Sequence, residues 1–225
     1  QADVVVGLDM VDFWGVTPRY RDQVHRTSSP ALKPGTKTVS ISSFDQFIHS
    51  NYQNFQRFEA VDLEVSGDGA ATLPALIEAV KKLVTADKKS AYEGRGKKLA
   101  TARQQAYERA KAEAASGWDI QPISTARLTM EVWNQIKNED YSLAVATQPA
   151  GYWSHHLWKM DKSHHYLGDS GAYGVGYGGG GAVGAALANR KHGRLTVAII
   201  GDGDLMVSPS SLWTAAKHKI PILMV

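Results

Sequence analysis

The chain contains no cysteine. That excludes disulfide staples, thiolate zinc sites and cysteine nucleophiles, and it suits a reducing compartment. Long apolar runs are missing as well. Nothing approaches the ~20 residues of a membrane-spanning helix, and the N-terminus lacks the basic-then-apolar pattern of a secretory signal. These absences predict a cytoplasmic protein with no membrane partner. Charge of one sign is scarce too: 25 Lys and Arg stand against 22 Asp and Glu, spread along the chain without a basic block. Nucleic acid is therefore not an expected partner. What is present is ordinary for a globular protein. The 225 residues are 43% hydrophobic and 21% charged, enough for one large domain or two small ones with a real core. No internal repeat is evident.

Apolar, β-branched runs alternate with helical patterns. ADVVVGL (2–8), TKTVSISS (36–43) and AVDLEVSGD (60–68) read as strands. The last feeds TLPALIEAVKKLV, where Leu73, Leu76, Ile77, Val80 and Val84 recur at helical spacing. Residues 86–118 are polar, Gly-bearing and then Ala-rich and charged, which predicts a linker with a surface helix. A second strand–helix unit opens with Ser124 as the expected cap of TARLTMEVWNQIK, followed by the strand YSLAVAT (141–147). A polar, aromatic, His-laden loop is expected to about residue 173. Beyond it come a Gly-rich turn, the helix AVGAALANR, the strand RLTVAIIGD, the helix SPSSLWTAAKHK and the strand IPILMV. Alternation of this kind implies parallel sheets with helices packed on them. The chain opens within a core strand and closes on another, so it reads as an internal piece of a longer polypeptide.

Three patterns carry chemistry. Gly201-Asp202-Gly203-Asp204 closes a strand that is apolar throughout, at the strand end where ligands bind in open α/β sheets. A carboxylate there can hold a hard cation, and glycines admit a phosphate close to the backbone. A strand-to-helix turn with a capping Asp is the plain alternative, and it is preferred for the matching tripeptide Gly67-Asp68-Gly69, on which nothing else converges. In the second pattern, Gly176, Gly178 and Gly181 satisfy G-x-G-x-x-G, with Asp202 after the next strand. That raises a rival, a dinucleotide site, although HHYLGDSGAY ahead of the glycines does not look like the strand such a site needs. In the third, WSHHLWKMDKSHHY carries His155, His156, His164 and His165. A ligand-lining loop is a better reading than a metal centre, because neighbouring histidines in extended chain point apart.

Taken together, residues from about Pro122 to Val225 resemble the diphosphate-binding domain of thiamine diphosphate enzymes of the acetolactate synthase, benzoylformate decarboxylase and pyruvate decarboxylase group. That group pairs Gly-Asp-Gly with a downstream Asn-Asn, with Leu-x-Thr-Ala and then Pro between them. Here Leu212-Trp213-Thr214-Ala215 and Pro221 stand in that order, and the Asn pair would fall just past Val225. Residues 1–85 resemble the last part of the group's central Rossmann-like domain. The resemblance implies an α/β fold of two Rossmann-like parallel-sheet units with flanking helices, the thiamine diphosphate-binding fold, incomplete here. It divides the chain into 1–85, a linker 86–118 and a diphosphate-binding domain 119–225.

By the same resemblance, Asp202 is a magnesium ligand, and Gly201, Gly203 and Asp204 meet the diphosphate and metal. His155 lies near the cofactor phosphates, Ser170 and Gly171 line the pocket, and Gly174 and Val175 support the bent cofactor. The implied cofactors are thiamine diphosphate and Mg²⁺. The implied reaction is decarboxylation or carboligation of a 2-keto acid, in a homodimer or homotetramer. A second subunit supplies the pyrimidine-binding domain and its activating glutamate, so no catalytic acid or base is assigned within this chain. Two alternatives stay open: an NAD-binding α/β oxidoreductase, and a non-catalytic subunit with the same fold.

Overall fold

A computed structural model describes residues 2–10, 13, 17–22, 27–44, 60–147, 150–168 and 175–225, with backbone alone for 18–22 and 27–30. The chain divides into two compact units, Gln1–Tyr92 and Glu93–Val225.

The first unit holds a parallel sheet of β1 (Val4–Leu8), β4 (Lys37–Ser42) and β5 (Leu63–Ser66) in that order. A separate antiparallel pair, β2 (Pro18–Asp22) with β3 (Thr27–Pro30), lies between β1 and β4 in sequence. This hairpin is absent from the sequence reading, since PRYRD and TSSP lack alternating apolar positions. After β5 the chain enters helix α1 (Gly69–Leu83) through Asp68, whose carboxylate accepts the Ala71 N–H at 2.7 Å. The decoy Gly-Asp-Gly is thus a helix cap, which satisfies one of the orphan amides of the first turn. Register pairs Val4, Val6 and Leu8 with Lys37, Val39 and Ile41, so these side chains share one face of the sheet. All three β1 residues on it are exposed.

Helix α2 (Ala86–Ala115) runs for 30 residues. The stretch expected as polar linker is therefore continuous helix, because Lys, Glu, Gln, Arg and Ala outweigh the roughly 1 kcal/mol that each of Gly94 and Gly96 costs. The division between the units falls within it. Its buried residues, Ala110 and Ala114, lie toward its far end and join the core of the second unit.

The second unit is built on a parallel sheet of β6 (Tyr141–Ala146), β7 (Leu195–Ile199) and β8 (Leu223–Met224). Every residue of β6 is buried, as a parallel strand covered on both faces requires. Helix α3 (Thr125–Ile136) starts at Ser124, whose hydroxyl accepts the Arg127 N–H at 3.2 Å, the cap read from sequence. Trp133 from α3 stacks on Trp158 at 5.5 Å, and both meet the Tyr141 ring edge-on. The Trp158 Nε1–H donates to the Thr129 carbonyl at 3.1 Å, so burial of the indole leaves no orphan donor. Where a loop was expected after β6, residues 150–157 form helix α4 (Ala150–Leu157), whose buried residues are Ala150, Gly151, Ser154 and Leu157. Helix α5 (Tyr177–Arg190) packs against β6 and β7 through Ala182, while its Val183 and Ala186 cluster with Ile220. Two short helices, α6 (Asp202–Val207) and α7 (Ser210–Lys217), join β7 to β8.

Candidate functional site

Parallel β6 and β7 align Ala146 with Ile199, so the residues that follow both strands emerge together at the carboxyl end of the sheet. Thr147, just after β6, holds the turn after β7. Its N–H donates to the Ile199 carbonyl at 3.0 Å and its Oγ1 accepts the Gly201 N–H at 3.1 Å. The Gly-Asp-Gly turn is therefore fixed at its first glycine. Asp202 begins α6 with its side chain exposed and makes no hydrogen bond or ion pair with the described residues. A Cβ added at Gly203 would meet nothing within 4 Å. A free carboxylate beside open backbone is the chemistry a hard cation and its phosphate require.

Asp204 is engaged otherwise. Its carboxylate accepts the N–H of Gly176 and, at 3.2 Å, the N–H of Gly178, at the start of α5. Gly176 is the N-cap of α5, with φ of 99° and no side chain of its own to cap the helix. Asp204 supplies that cap from a different element. The Ser208 hydroxyl adds a bond to the Gly176 carbonyl at 2.9 Å. Close approach enforces glycine here: a Cβ at Gly178 would lie 2.1 Å from Asp204 Oδ2, and one at Gly179 would lie 2.4 Å from the Ser211 hydroxyl. Gly176 and Gly178 belong to the G-x-G-x-x-G pattern, so two amides that would cradle a dinucleotide pyrophosphate are already taken by a carboxylate. Residues 169–174, directly ahead of these glycines, lie outside the described residues; before them Tyr166 forms an isolated bridge to Leu143.

Of the residues predicted from sequence, Gly201, Asp202, Gly203 and Asp204 form one turn, and Asp204 ties it to the Gly-rich segment behind Val175. Val175 is 70% exposed at that segment. Ser170, Gly171 and Gly174 lie outside the described residues. His155 has no hydrogen bond to the turn. It sits toward the far end of α4, with its Nδ1 on the Gly151 carbonyl at 2.7 Å and its ring edge-on to Tyr166. The polar residues missed in the sequence are Thr147 and Ser208, each a lone hydroxyl with no motif to mark it.

The other histidines serve elsewhere. His164 Nε2 lies 2.8 Å from Asp140, which is also bonded by Lys162 at 3.0 Å and Arg194 at 3.2 Å. The hydrogen bond to His164, followed by that to Lys162, holds the Asp140 carboxyl well below its ordinary value. His165 is buried against the Tyr141 ring at 4.4 Å, and burial lowers its pKa. Burial likewise pushes the Tyr141 hydroxyl up to about 12. Asp140, His164 and His165 each bring one ligand atom within 4.8 Å of the others. Two cationic side chains already neutralise that carboxylate, so the cluster is an ion-pair hub and a poor host for a divalent ion.

Residues 149–225 match the family described as thiamine pyrophosphate enzyme, C-terminal TPP binding domain. Among solved structures, a protein isolated from Mycobacterium smegmatis and assigned as a thiamin diphosphate-dependent enzyme is similar at TM-score 0.61 and 22% identity, over 98% of this chain and 36% of that one. Benzoylformate decarboxylase from Polynucleobacter necessarius is similar at TM-score 0.60 and 16% identity, over 98% of this chain and 35% of that one. No curated protein matched the chain by sequence. The fold is thus that of the thiamine diphosphate-dependent enzymes, and residues 149–225 are similar to their C-terminal cofactor-binding domain. The chain spans about a third of the length of these solved structures.

Proposed function

We propose that the chain is the part of a thiamine diphosphate- and magnesium-dependent enzyme that anchors the cofactor diphosphate, and that the enzyme decarboxylates a 2-keto acid or joins the resulting acyl unit to an acceptor, in the manner of acetolactate synthase. Residues 1–85 are then the end of a central domain, 86–118 its linker and 119–225 the diphosphate-binding domain. The activating glutamate comes from a pyrimidine-binding domain on a second subunit of a homodimer or homotetramer. The observation that carries this reading is the free Asp202 carboxylate on a turn of open glycines at the carboxyl ends of β6 and β7, inside the segment that matches the cofactor-binding family.

The residues fit the group. Thiamine diphosphate supplies the electron sink for cleavage of the bond between a keto carbon and its carboxylate. Asp202 ligates the magnesium that neutralises the diphosphate. Gly201, fixed by Thr147, sets where that carboxylate stands, and Gly203 leaves room for the phosphates. Asp204 orients the Gly-rich segment, and Val175 on that segment presents an apolar side chain to the cofactor.

The test uses the full-length polypeptide. Tryptophan fluorescence is expected to quench on titration with thiamine diphosphate in the presence of Mg²⁺ and not with NAD. Asp202→Ala should abolish the Mg²⁺-dependent part, since a lost anionic ligand leaves the diphosphate unpaired with its cation. Unchanged affinity in that variant, or quenching by NAD instead, rejects the assignment.

A further inference from the structure

A cavity of about 500 Å³ opens in the second unit between α2 and the end of α4. None of its lining residues belongs to the Gly-Asp-Gly turn. Helix α4 leaves the carboxyl end of β6 and descends along the sheet, and its continuation at Lys159 is fixed by the Tyr141 hydroxyl, which donates to the Lys159 carbonyl at 3.0 Å. Tyr141 is the first residue of β6, so the cavity faces the amino end of the strands.

Two features of the lining define what it accepts. The first is an aromatic floor, the stacked Trp133 and Trp158 with Tyr107 as a wall. The second is a set of cationic and imidazole groups, with no acidic residue in the lining. Arg103 makes no hydrogen bond or ion pair with the described residues, while Lys159 is paired with Asp161 at 2.9 Å. His155 and His156 each direct Nδ1 at the carbonyl four residues back, both at 2.7 Å. A carbonyl only accepts, so Nδ1–H is the donor on both rings. The Nε2 atom of each has no hydrogen-bond partner among the described residues. The volume is that of a small-molecule site.

We infer that this cavity is a second binding site, distinct from the Gly-Asp-Gly turn, for a small molecule that carries an anionic group on an aromatic ring. The ring lies against the tryptophan floor and Tyr107. The anion, a carboxylate or a phosphate ester, is met by the Arg103 guanidinium and the histidine Nε2 atoms.

The experiment titrates the full chain with benzoate and with phenyl phosphate, which separate the carboxylate and phosphate sources. Inorganic phosphate and benzyl alcohol supply the anion and the ring alone. Histidine Cε1–H resonances, assigned with His155→Gln and His156→Gln, report occupancy. Saturable shifts of both histidines are expected with at least one of the two aromatic anions, and each half-ligand should bind about tenfold more weakly or worse. Arg103 is exposed on α2, so Arg103→Gln keeps the fold and should weaken binding about tenfold, as loss of one charge-assisted contact does. Saturating thiamine diphosphate with Mg²⁺ should leave the titration unchanged. Absence of saturation with both aromatic anions, equal binding by phosphate alone, full affinity in Arg103→Gln, or competition by thiamine diphosphate would each overturn the proposal.

Discussion

Replacing Gly178 with alanine tests the central joint of the site. The new Cβ would stand 2.1 Å from Asp204 Oδ2 and 3.1 Å from Ile200 Cγ2. The carboxylate has to swing away, which breaks its bonds to the Gly176 and Gly178 amides. A lost helix cap costs about 1 kcal/mol, and forcing an extra methyl into a packed contact costs roughly 1–3 kcal/mol. Against this, alanine is worth about 0.5–1 kcal/mol over glycine inside a helix. The net is a destabilisation of about 2 kcal/mol, equivalent to a fall of roughly 4–8 °C in melting temperature for a protein of this size. The control lies on the same helix. A Cβ at Gly184 meets nothing within 4 Å, so Gly184→Ala receives the propensity gain without the clash and should melt slightly above wild type. Thermal denaturation of the two variants side by side decides the matter. If Gly178→Ala melts with or above Gly184→Ala, then α5 does not approach Asp204 as described, and the Gly-rich segment is not tied to the Gly-Asp-Gly turn.

Other outcomes follow from single contacts. Asp68→Ala removes the α1 cap and should cost about 1 kcal/mol by chemical denaturation, with thiamine diphosphate affinity unchanged, in contrast to Asp202→Ala. The Asp140 carboxyl has its pKa lowered on folding, so its contribution is complete above the unfolded value of about 3.9 and is lost as pH falls through the lower folded value. Asp140→Asn should therefore unfold at lower denaturant than wild type at pH 7, with the gap closing as the pH drops below about 4; a gap that widens in acid contradicts the hub. Val175 is 70% exposed, so Val175→Ala should leave the melting temperature within error while turnover of the full-length enzyme falls by about a hundredfold, the scale of a misplaced reacting geometry. Turnover that falls only in step with cofactor affinity would make Val175 an ordinary surface residue.

What the sequence made legible was whatever expressed itself in continuous pattern. β6 and β7 read as buried parallel strands because every position is apolar or small, and Ser124 and Asp68 announced their helices by standing just ahead of periodic runs. Helix α4 escaped because its buried face is Ala150, Gly151, Ser154 and Leu157. All but Leu157 are small residues that let the helix lie close to the sheet, while its bulky aromatic and histidine side chains mostly look outward. An apolar count over that stretch therefore sees no helical stripe. The role of Asp204 was hidden for another reason. Its partners, Gly176 and Gly178, are 28 and 26 positions away, and only the return of the chain through β7 brings carboxylate and amides together.

The cap that Asp204 places on α5 also bears on how a cofactor would arrive. A glycine-rich entry to a helix is, by itself, a loose segment whose amides would wait for an incoming phosphate to order them. Here a resident carboxylate and the Ser208 hydroxyl restrain Gly176 through its N–H and its carbonyl. The segment beside Val175 thus has its shape before any ligand is present, and association need not be slowed or weakened by ordering it. The same carboxylate repels any phosphate that strays toward α5, which leaves the approach past Asp202 as the electrostatically open route once a divalent cation is in place.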